Sequence, residues 1–151
     1  MKVDLEKNSY EIIITDTFSK LGTYLRETLR GSKICIVTEE AIAGYYLEQV
    51  RKEAEKAGFS VSICLIEGGE HHKNLQTVQK IYQILLEKGF DRKGAVIALG
   101  GGIVGDIAGF AAATYMRGID FVQVPTTLLA QVDSSVGGKV GVNFLDTKNM
   151  V

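Results

Sequence analysis

A glycine-rich segment, Gly100 to Asp106, carries the clearest chemical signal in this sequence. It reads Gly-Gly-Gly-Ile-Val-Gly-Asp, and it lies between an apolar run at 95–99, which predicts a buried strand, and small residues at 107–116, which predict a helix. Glycines between a strand and a helix let bare backbone N–H groups approach a phosphate, and the helix amino terminus adds partial positive charge. The segment therefore predicts a site for a phosphate-bearing cofactor.

A second glycine pair stands further along the chain, where Gly137-Gly138 precedes Lys139. A P-loop would need a glycine where Asp133 stands and a serine or threonine where Val140 stands, so the segment does not fit that motif. A lysine that follows a flexible turn close to Asp133 is expected to face a polar ligand. An ordinary turn is the alternative.

Apolar residues recur along the chain in alternating strand and helix patterns. They predict strands over residues 10–15, 33–38, 60–66, 95–99 and 121–124, and helices over residues 18–29, 42–57, 75–86 and 107–116, with Asn74 as a helix cap. This alternation is typical of an α/β fold, here a Rossmann-like, mostly parallel sheet with helices on both faces. Because ligands bind at the carboxyl ends of such strands, we expect the loops 67–73, 100–106 and 125–127 to meet at one edge.

Composition limits the classes of protein to which the chain can belong. It has 151 residues, 46% of them hydrophobic and 23% charged, with a net charge of −1. This suffices for one domain with a core and gives no electrostatic reason to expect nucleic acid or an anionic membrane as a partner. Residues 1–6 lack the apolar core of a signal peptide, which favours a cytoplasmic protein. Cys35 and Cys64 lie in apolar runs and are expected to be buried thiols.

Two further features of the chain concern its extent and its relation to membranes. The stretch from Gly94 to Met116 is long enough to cross a bilayer, but a carboxylate at Asp106 and several glycines near its centre favour a strand, a turn and a helix instead. After Val142 the sequence reaches Val151 with no further cap, helix or strand pattern. We therefore expect a domain over residues 1–151 that is truncated at its carboxyl end.

Residues 100–105 match the dinucleotide pattern G-x-G-x-x-G, but their setting differs from the usual one. The usual loop follows the first strand and has an acidic residue about 20 positions later that holds a ribose hydroxyl. Asp120 has nearly that spacing, yet it precedes the next predicted strand and would lie at the wrong end of the sheet. Thr126 and Thr127 stand at the useful end. The pattern thus indicates a nucleotide loop of a different lineage.

Several segments together resemble the 3-dehydroquinate synthase family. The glycine segment 100–106 continues into Gly-Phe-Ala-Ala-Ala-Thr-Tyr-Met-Arg-Gly at 109–118, and residues 124–139 run from Val-Pro-Thr-Thr to Gly-Gly-Lys. Lys148-Asn149 follows them, and Gly69–Lys73 is similar to the G-E-x-x-K loop of the family. The first 60 residues match the family in architecture only.

The resemblance implies an NAD-dependent lyase that also needs a divalent metal, zinc or cobalt. Such an enzyme converts a phosphorylated keto-acid sugar, 3-deoxy-D-arabino-heptulosonate 7-phosphate, into 3-dehydroquinate and phosphate in the shikimate pathway of aromatic amino acid biosynthesis. The resemblance also implies a cytoplasmic homodimer whose helical metal-binding domain is absent from residues 1–151. The present chain would be the amino-terminal NAD-binding portion and inactive alone.

The resemblance assigns cofactor contacts to the three loops and to two lysines beyond them. The cofactor set is Gly68, Gly69, Glu70, His71, His72, Lys73, Gly101, Gly102, Ile103, Val104, Gly105, Asp106, Thr126, Thr127, Leu129, Lys139 and Lys148. Simpler structural roles stand as alternatives. Asp106 could cap the start of a helix, Glu70 and Lys73 could be a solvated loop pair, and the two threonines could cap a helix after Pro125.

The resemblance assigns catalysis to Asp133, Lys139, Asn149 and Arg117, with Lys148 also facing the substrate. Two ammonium groups, a carboxylate and an amide suit a substrate that carries a carboxylate, a phosphate and several hydroxyls. Arg117 matches a family arginine that reaches the substrate site of a neighbouring subunit.

The two histidines, His71 and His72, are adjacent and lack a nearby cluster of cysteines or carboxylates, so we expect no metal ligands in this chain. In the family, a glutamate and two histidines of the following domain hold the metal. The sequence also departs from the family pattern: Gly68 replaces an aspartate, Glu39-Glu40 replaces the aspartate or asparagine near the adenine ribose, and either glutamate could serve. Residues 144 and 146–147 differ as well.

Two other functions remain open from the sequence alone. The chain could belong to another sugar-phosphate cyclase or to a metal-dependent alcohol dehydrogenase of the glycerol dehydrogenase kind, which should diverge around residues 133–139. It could also be a nucleotide-binding module without catalysis.

Overall fold

The computed structural model describes residues 1–6 and 9–151. Its strands are β1 (Lys2–Val3), β2 (Tyr10–Glu11), β3 (Lys33–Glu39), β4 (Ser60–Ile66), β5 (Ala95–Gly100) and β6 (Asp120–Pro125). Its helices are α1 (Leu21–Thr28), α2 (Glu40–Ile42), α3 (Glu48–Lys56), α4 (Leu75–Glu87) and α5 (Gly102–Thr114). Short 3₁₀ turns occupy Glu70–His72 and Tyr115–Arg117, and π-helical turns occupy Ala43–Leu47 and Ala130–Ser134.

Four parallel strands form the main sheet in the order β4-β3-β5-β6. Alternate residues of β3 enter two separate cores. Cys35 and Val37 pack in a cluster with residues of α4 and α5, whereas Ile34 and Ile36 pack with residues of α1 and α3. The helices therefore cover both faces, and the predicted α/β architecture with a parallel sheet is confirmed.

Local sequence explains most of the element boundaries. The side chain of Asn74 accepts a hydrogen bond from Thr77 N (3.0 Å) and caps α4, as predicted. Every residue of β5 is buried, which fits its apolar run between two neighbouring strands. Asp120 opens β6 at the amino edge of the sheet, where it forms an ion pair with Arg30 (2.6 Å), so the prediction that it lies at the wrong end for a ribose is confirmed.

The structure differs from the sequence predictions at three places. The strand expected over 10–15 is limited to β2, because it pairs only with the two residues of β1. The helix expected over 42–57 is interrupted by the π-helical turn at Ala43–Leu47. The helix expected at 107–116 covers Gly102–Thr114 instead, because Gly102 and Gly105 adopt helical geometry and Gly101 alone separates β5 from α5.

The apolar stretch from Gly94 to Met116 forms β5, the glycine turn and α5. Among residues 1–6 and 9–151, no helix has the length and apolar character needed to cross a membrane. Cys35 and Cys64 are free and buried, as predicted, and burial raises the pKa of the Cys35 thiol to about 12 and that of Cys64 to about 11.

Candidate functional site

The glycine turn presents unpaired backbone donors at the carboxyl end of β5. Gly101 is the N-cap residue of α5, and its cap carries no side-chain hydrogen bond. In the described part of the chain, the N–H groups of Gly102, Ile103 and Val104 have no backbone acceptor, and the first helical bond runs from Gly105 N to Gly101 O (3.0 Å). Three N–H groups and the positive end of a 13-residue helix therefore face the same region.

The segment after β6 packs against this turn and brings Thr127 and Ser134 beside its glycines. Thr126 N donates to Gly100 O (2.9 Å), which fixes that loop beside the turn. A Cβ added at Gly101 would lie 3.3 Å from Thr127 Cγ2, and one added at Gly102 would lie 2.9 Å from Ser134 Oγ. The hydroxyls of Thr126 and Ser134 are buried and have no hydrogen-bond partner among the described residues. Burying such groups unpaired is costly, so their placement fits a polar ligand at the turn.

Lys73 connects the loop at 67–73 to the glycine segment and to the end of the chain. Its side chain is only about 5% exposed, and its ammonium contacts both Asp106 Oδ2 and Asn149 Oδ1. The alternative that Lys73 is a solvated loop residue is therefore wrong, and so is the alternative that Asp106 caps α5. Asp106 lies beyond the first helical turn and serves instead as the counter-ion of Lys73.

The two threonines after Pro125 have different surroundings. Thr127 Oγ1 accepts a hydrogen bond from Ala130 N (3.2 Å), which is the capping role considered from the sequence. The Thr126 hydroxyl is buried and unpartnered among the described residues, and the backbone N of the same residue bonds to Gly100 at the turn. Leu129 follows them and is 69% exposed.

Glu70 lies half-exposed at the rim of the site. Its Oε1 accepts a hydrogen bond from Asn143 Nδ2 (2.9 Å), and Lys148 Nζ lies 3.9 Å from the same oxygen. The hydrogen bond from Asn143, followed by the charges of Lys148 and Lys73, lowers the pKa of the Glu70 carboxyl below its ordinary value. Glu70 is therefore an anion at neutral pH and stays available as a hydrogen-bond acceptor.

The two histidines make local contacts. The ring of His71 lies over Gly69, whose φ of 102° favours glycine, and His72 Nδ1 is 3.1 Å from Glu67 Oε2. In the chain outside residues 7–8, no group of three or more histidine, cysteine or acidic side chains could hold a metal ion.

The carboxylate of Glu39 lies against the backbone of Gly68. The side chain of Glu39 leaves the carboxyl end of β3, and its Oε2 lies where a Cβ at residue 68 would have to sit. Any larger residue at position 68 would displace the Glu39 carboxylate from this position. Glu40 is exposed and makes no such contact.

A groove of about 380 Å³ lies between the loop at 67–73 and the lobe at 142–151. Backbone hydrogen bonds between Val142 and Val151 (2.8 and 3.2 Å) close the lobe, and a pair between Phe144 and Thr147 (3.1 Å each) lies within it. The groove is lined by Glu70, His71, Asn143, Leu145, Asp146, Thr147 and Lys148.

Asp133 and Lys139 belong to the segment between β6 and the lobe, which packs against α5. Ser134 lies against Gly102, and Val140 lies against Gly109, so residues 134–140 run along the first half of the helix. Gly137 N donates to the phenol oxygen of Tyr10 (2.9 Å), which attaches this segment to β2. Both Asp133 and Lys139 are exposed.

Arg117 is not brought together with the other candidate residues. It follows α5 at the opposite end from Gly102, and 13 helical residues span about 20 Å. Met116 and Arg117 both have positive φ, 50° and 68°, and both are exposed. Within one chain the guanidinium therefore lies at the other edge of the sheet.

The sequence interpretation did not single out two side chains, Asn143 and Gln123, that contact residues of the candidate site. Asn143 contacts both the loop at 67–73 and the residues near Asn149, and Gln123 places its Oε1 2.8 Å from a Cβ position on Gly105. A single asparagine after Val142 gives no periodic or motif signal. Its partner, Glu70, is 73 residues away in sequence.

A family model and a curated relative of this chain indicate the same family. Residues 63–151 match the family model described as 3-dehydroquinate synthase N-terminal. The whole chain is 49% identical to the 3-dehydroquinate synthase of Desulforamulus reducens, and it spans 42% of the length of that relative.

Two solved structures are similar at 30% identity and a TM-score of 0.82. One is 2-deoxy-scyllo-inosose synthase complexed with carbaglucose-6-phosphate, NAD⁺ and Co²⁺, in which the match covers 90% of this chain and 37% of the other. The other is ValA, the 2-epi-5-epi-valiolone synthase of Streptomyces hygroscopicus subsp. jinggangensis with NAD⁺ and Zn²⁺ bound, for which the shares are 99% and 41%.

Proposed function

The chain belongs to the 3-dehydroquinate synthase family, and we propose that it is the NAD-binding portion of an enzyme that forms 3-dehydroquinate and phosphate from 3-deoxy-D-arabino-heptulosonate 7-phosphate. The glycine turn is the observation that carries this proposal. Its three unpaired N–H groups, the helix terminus and two buried, unpartnered hydroxyls of the described chain form a cradle for the pyrophosphate of NAD.

The adenosine side of NAD would lie toward the ends of β3 and β4. Glu39 and Glu70 are two of the carboxylates at this edge, and carboxylates accept hydrogen bonds from the hydroxyls of a ribose. Of the two glutamates after β3, we assign the ribose to Glu39, because it lies against Gly68 while Glu40 is exposed elsewhere. Lys73 would support the site indirectly by holding Asp106 and Asn149 in place.

The substrate side would be formed by Asp133, Lys139, Lys148 and Asn149. Both lysines are exposed, Lys148 beside Glu70 and Lys139 on the segment that follows Ser134, and we assign their ammonium groups to the carboxylate and the phosphate of the substrate. The carboxylate of Asp133 and the amide of Asn149 can orient substrate hydroxyls and accept or donate hydrogen bonds as protons shift. When bound, NAD would supply reversible hydride transfer at one of those hydroxyls.

The same proposal places the metal ligands of the complete protein outside residues 1–151. The described residues contain no suitable cluster, so no step of the mechanism is assigned to a metal here. We also propose a cytoplasmic homodimer in which Arg117 serves the site of the other subunit. Its exposed, left-handed backbone at the far end of α5 supports a role outside its own site.

The proposal is tested with the full-length protein that contains these residues. Purified protein with NAD and Zn²⁺ or Co²⁺ should release inorganic phosphate from 3-deoxy-D-arabino-heptulosonate 7-phosphate and yield 3-dehydroquinate. A hexose 6-phosphate serves as the comparison substrate, since carbaglucose-6-phosphate is the ligand of one similar structure. Turnover of the hexose phosphate alone would assign the chain to another sugar-phosphate cyclase, and NAD binding without either reaction would indicate a binding module.

A further inference from the structure

Asn143 bonds both to the loop at 67–73 and to the backbone beside the candidate substrate residues. Its Nδ2 donates to Glu70 Oε1 (2.9 Å) and to Glu70 O (3.2 Å). Its Oδ1 accepts from Asn149 N (2.9 Å), and its own backbone N donates to Lys73 O (2.8 Å). A single half-buried asparagine therefore connects three residues from two segments.

Each connected residue has a separate task in the proposed function, on which this inference rests. Glu70 belongs to the cofactor side, where its carboxylate would accept from the adenosine. Asn149 belongs to the substrate side and has a φ of 52°, a backbone conformation that needs support from its surroundings. The ammonium of Lys73 contacts Asn149 Oδ1 and Asp106, which leads on to the glycine turn. One chain of contacts from Glu70 to α5 therefore runs through Asn143 and Asn149 to Lys73, beside the direct backbone bond from Lys73 N to Glu70 O (3.2 Å).

The chemistry of the position calls for a carboxamide. Glu70 is an acceptor and Asn149 N is a donor, so the residue between them must donate on one side and accept on the other. An aspartate of the same shape would still accept from Asn149 N but would bring a second negative charge to within hydrogen-bond distance of Glu70. An alanine would leave both partners without their bond.

We propose that Asn143 is a positioning residue that couples the two sides of the site. It holds Glu70 and the Lys148–Asn149 segment in one arrangement, so that the loop which binds the cofactor also orders the segment which faces the substrate. It touches neither ligand itself. Loss of the carboxamide should therefore weaken the binding of NAD and the use of substrate together.

The test uses the full-length protein with Asn143→Ala and Asn143→Asp, and Gln83→Glu as a control that adds a negative charge at an exposed position of α4 outside the site. The NAD dissociation constant is measured by titration calorimetry, KM and kcat by phosphate release, and folding by the melting temperature. Because Asn143 contacts no ligand, its loss acts on NAD only through the freedom that Glu70 gains, and Asn143→Ala should raise the dissociation constant of NAD about 3- to 10-fold. The KM of the substrate should rise in the same variant, while Gln83→Glu stays within about two-fold of wild type for NAD.

The Asn143→Asp variant supplies a readout that a purely structural role would not change. With the Glu70 carboxylate and the carboxylate introduced at position 143 both ionised, NAD binding should be weak near pH 8. It should recover as the pH falls and the carboxylate pair takes up a proton, whereas wild type shows no such recovery.

The possible results separate the two proposals. Wild-type protein that binds no NAD overturns the proposed function and this inference with it. An active wild type whose Asn143 variants show normal NAD affinity and KM, or lose only melting temperature, overturns the coupling role alone. A rise in only one of the two constants also overturns it, because Asn143 would then support one side of the site. If Asn143→Ala does not fold, the pH dependence of Asn143→Asp decides.

Discussion

Substitution of Gly102 by alanine tests the phosphate cradle with the smallest possible change. The new Cβ would lie 2.9 Å from Ser134 Oγ and 3.4 Å from Ser134 Cβ, so this short side chain must shift by a few tenths of an ångström. An alanine also favours the helical backbone over glycine by about 0.5–1 kcal/mol. The two effects oppose each other, and we expect the free energy of unfolding to change by no more than about 1 kcal/mol.

NAD binding should respond much more strongly than folding. The methyl group would fill the space beside Ser134 Oγ, next to the N–H groups to which we assign the diphosphate, and the loss of one charge-assisted hydrogen bond costs about 1.5–3 kcal/mol. The dissociation constant of NAD should therefore rise about 10- to 150-fold, measured by titration calorimetry on the full-length protein.

Gly44→Ala is the matched control. Gly44 lies in the π-helical turn at Ala43–Leu47, and nothing among the described residues lies within 4 Å of a Cβ at this position. This variant should bind NAD as wild type does. A Gly102→Ala protein that is folded and keeps wild-type NAD affinity would refute the assignment of the pyrophosphate to this turn.

Three further predictions concern other parts of the structure. Lys139→Ala should lower kcat/KM for phosphate release about 10- to 150-fold, because it removes one charge-assisted contact with the substrate. Lys88→Ala, at the opposite edge of the sheet, is the control and should leave kcat/KM unchanged. Equal kinetics in the two variants would exclude Lys139 from the site. Gly68→Ala should leave the melting temperature unchanged but displace the flexible Glu39 side chain, so that NAD affinity falls several-fold. Glu39→Ala should lower NAD affinity by a similar factor, and the double variant should bind NAD about as well as either single variant. Additive losses of affinity would contradict a shared site. The free energy of unfolding should fall as the pH rises above 9, because the thiols ionise near pH 9.0 in the unfolded chain, whereas burial raises the pKa of Cys35 to about 12 and that of Cys64 to about 11 in the folded protein. In chemical unfolding, a Cys35→Ala/Cys64→Ala protein should lose less stability over that pH range. An equal loss would exclude the thiols as its cause.

Periodic and local signals were sufficient to predict the sheet and the meeting of three loops at its carboxyl edge. The apolar run at 95–99, the cap at Asn74 and the strand at 60–66 depend on neighbours in sequence, and the structure confirms all three. The meeting of the loops at 67–73, 100–106 and 125–127 followed from parallel connectivity alone. It is seen in the contact of Lys73 with Asp106 and in the bond from Thr126 N to Gly100 O.

Contacts between distant residues were not predictable from the same signals. The burial of Lys73 depends on Asp106 and Asn149, which lie 33 and 76 residues away. Gly68 looked like a departure from the family pattern, and only the structure shows that the Glu39 side chain fills the space beside it. The interruption of the second helix at Ala43–Leu47 likewise has no separate signal in the apolar periodicity.

Hydrogen–deuterium exchange of the full-length protein with and without NAD tests the central claim most directly. The account predicts that NAD slows exchange at the amides of residues 102–104, which have no backbone acceptor within the described chain. Exchange at residues 115–118, at the other end of α5, should not change. If NAD binds and protects other segments while the amides at 102–104 exchange as before, the glycine turn is not the pyrophosphate site.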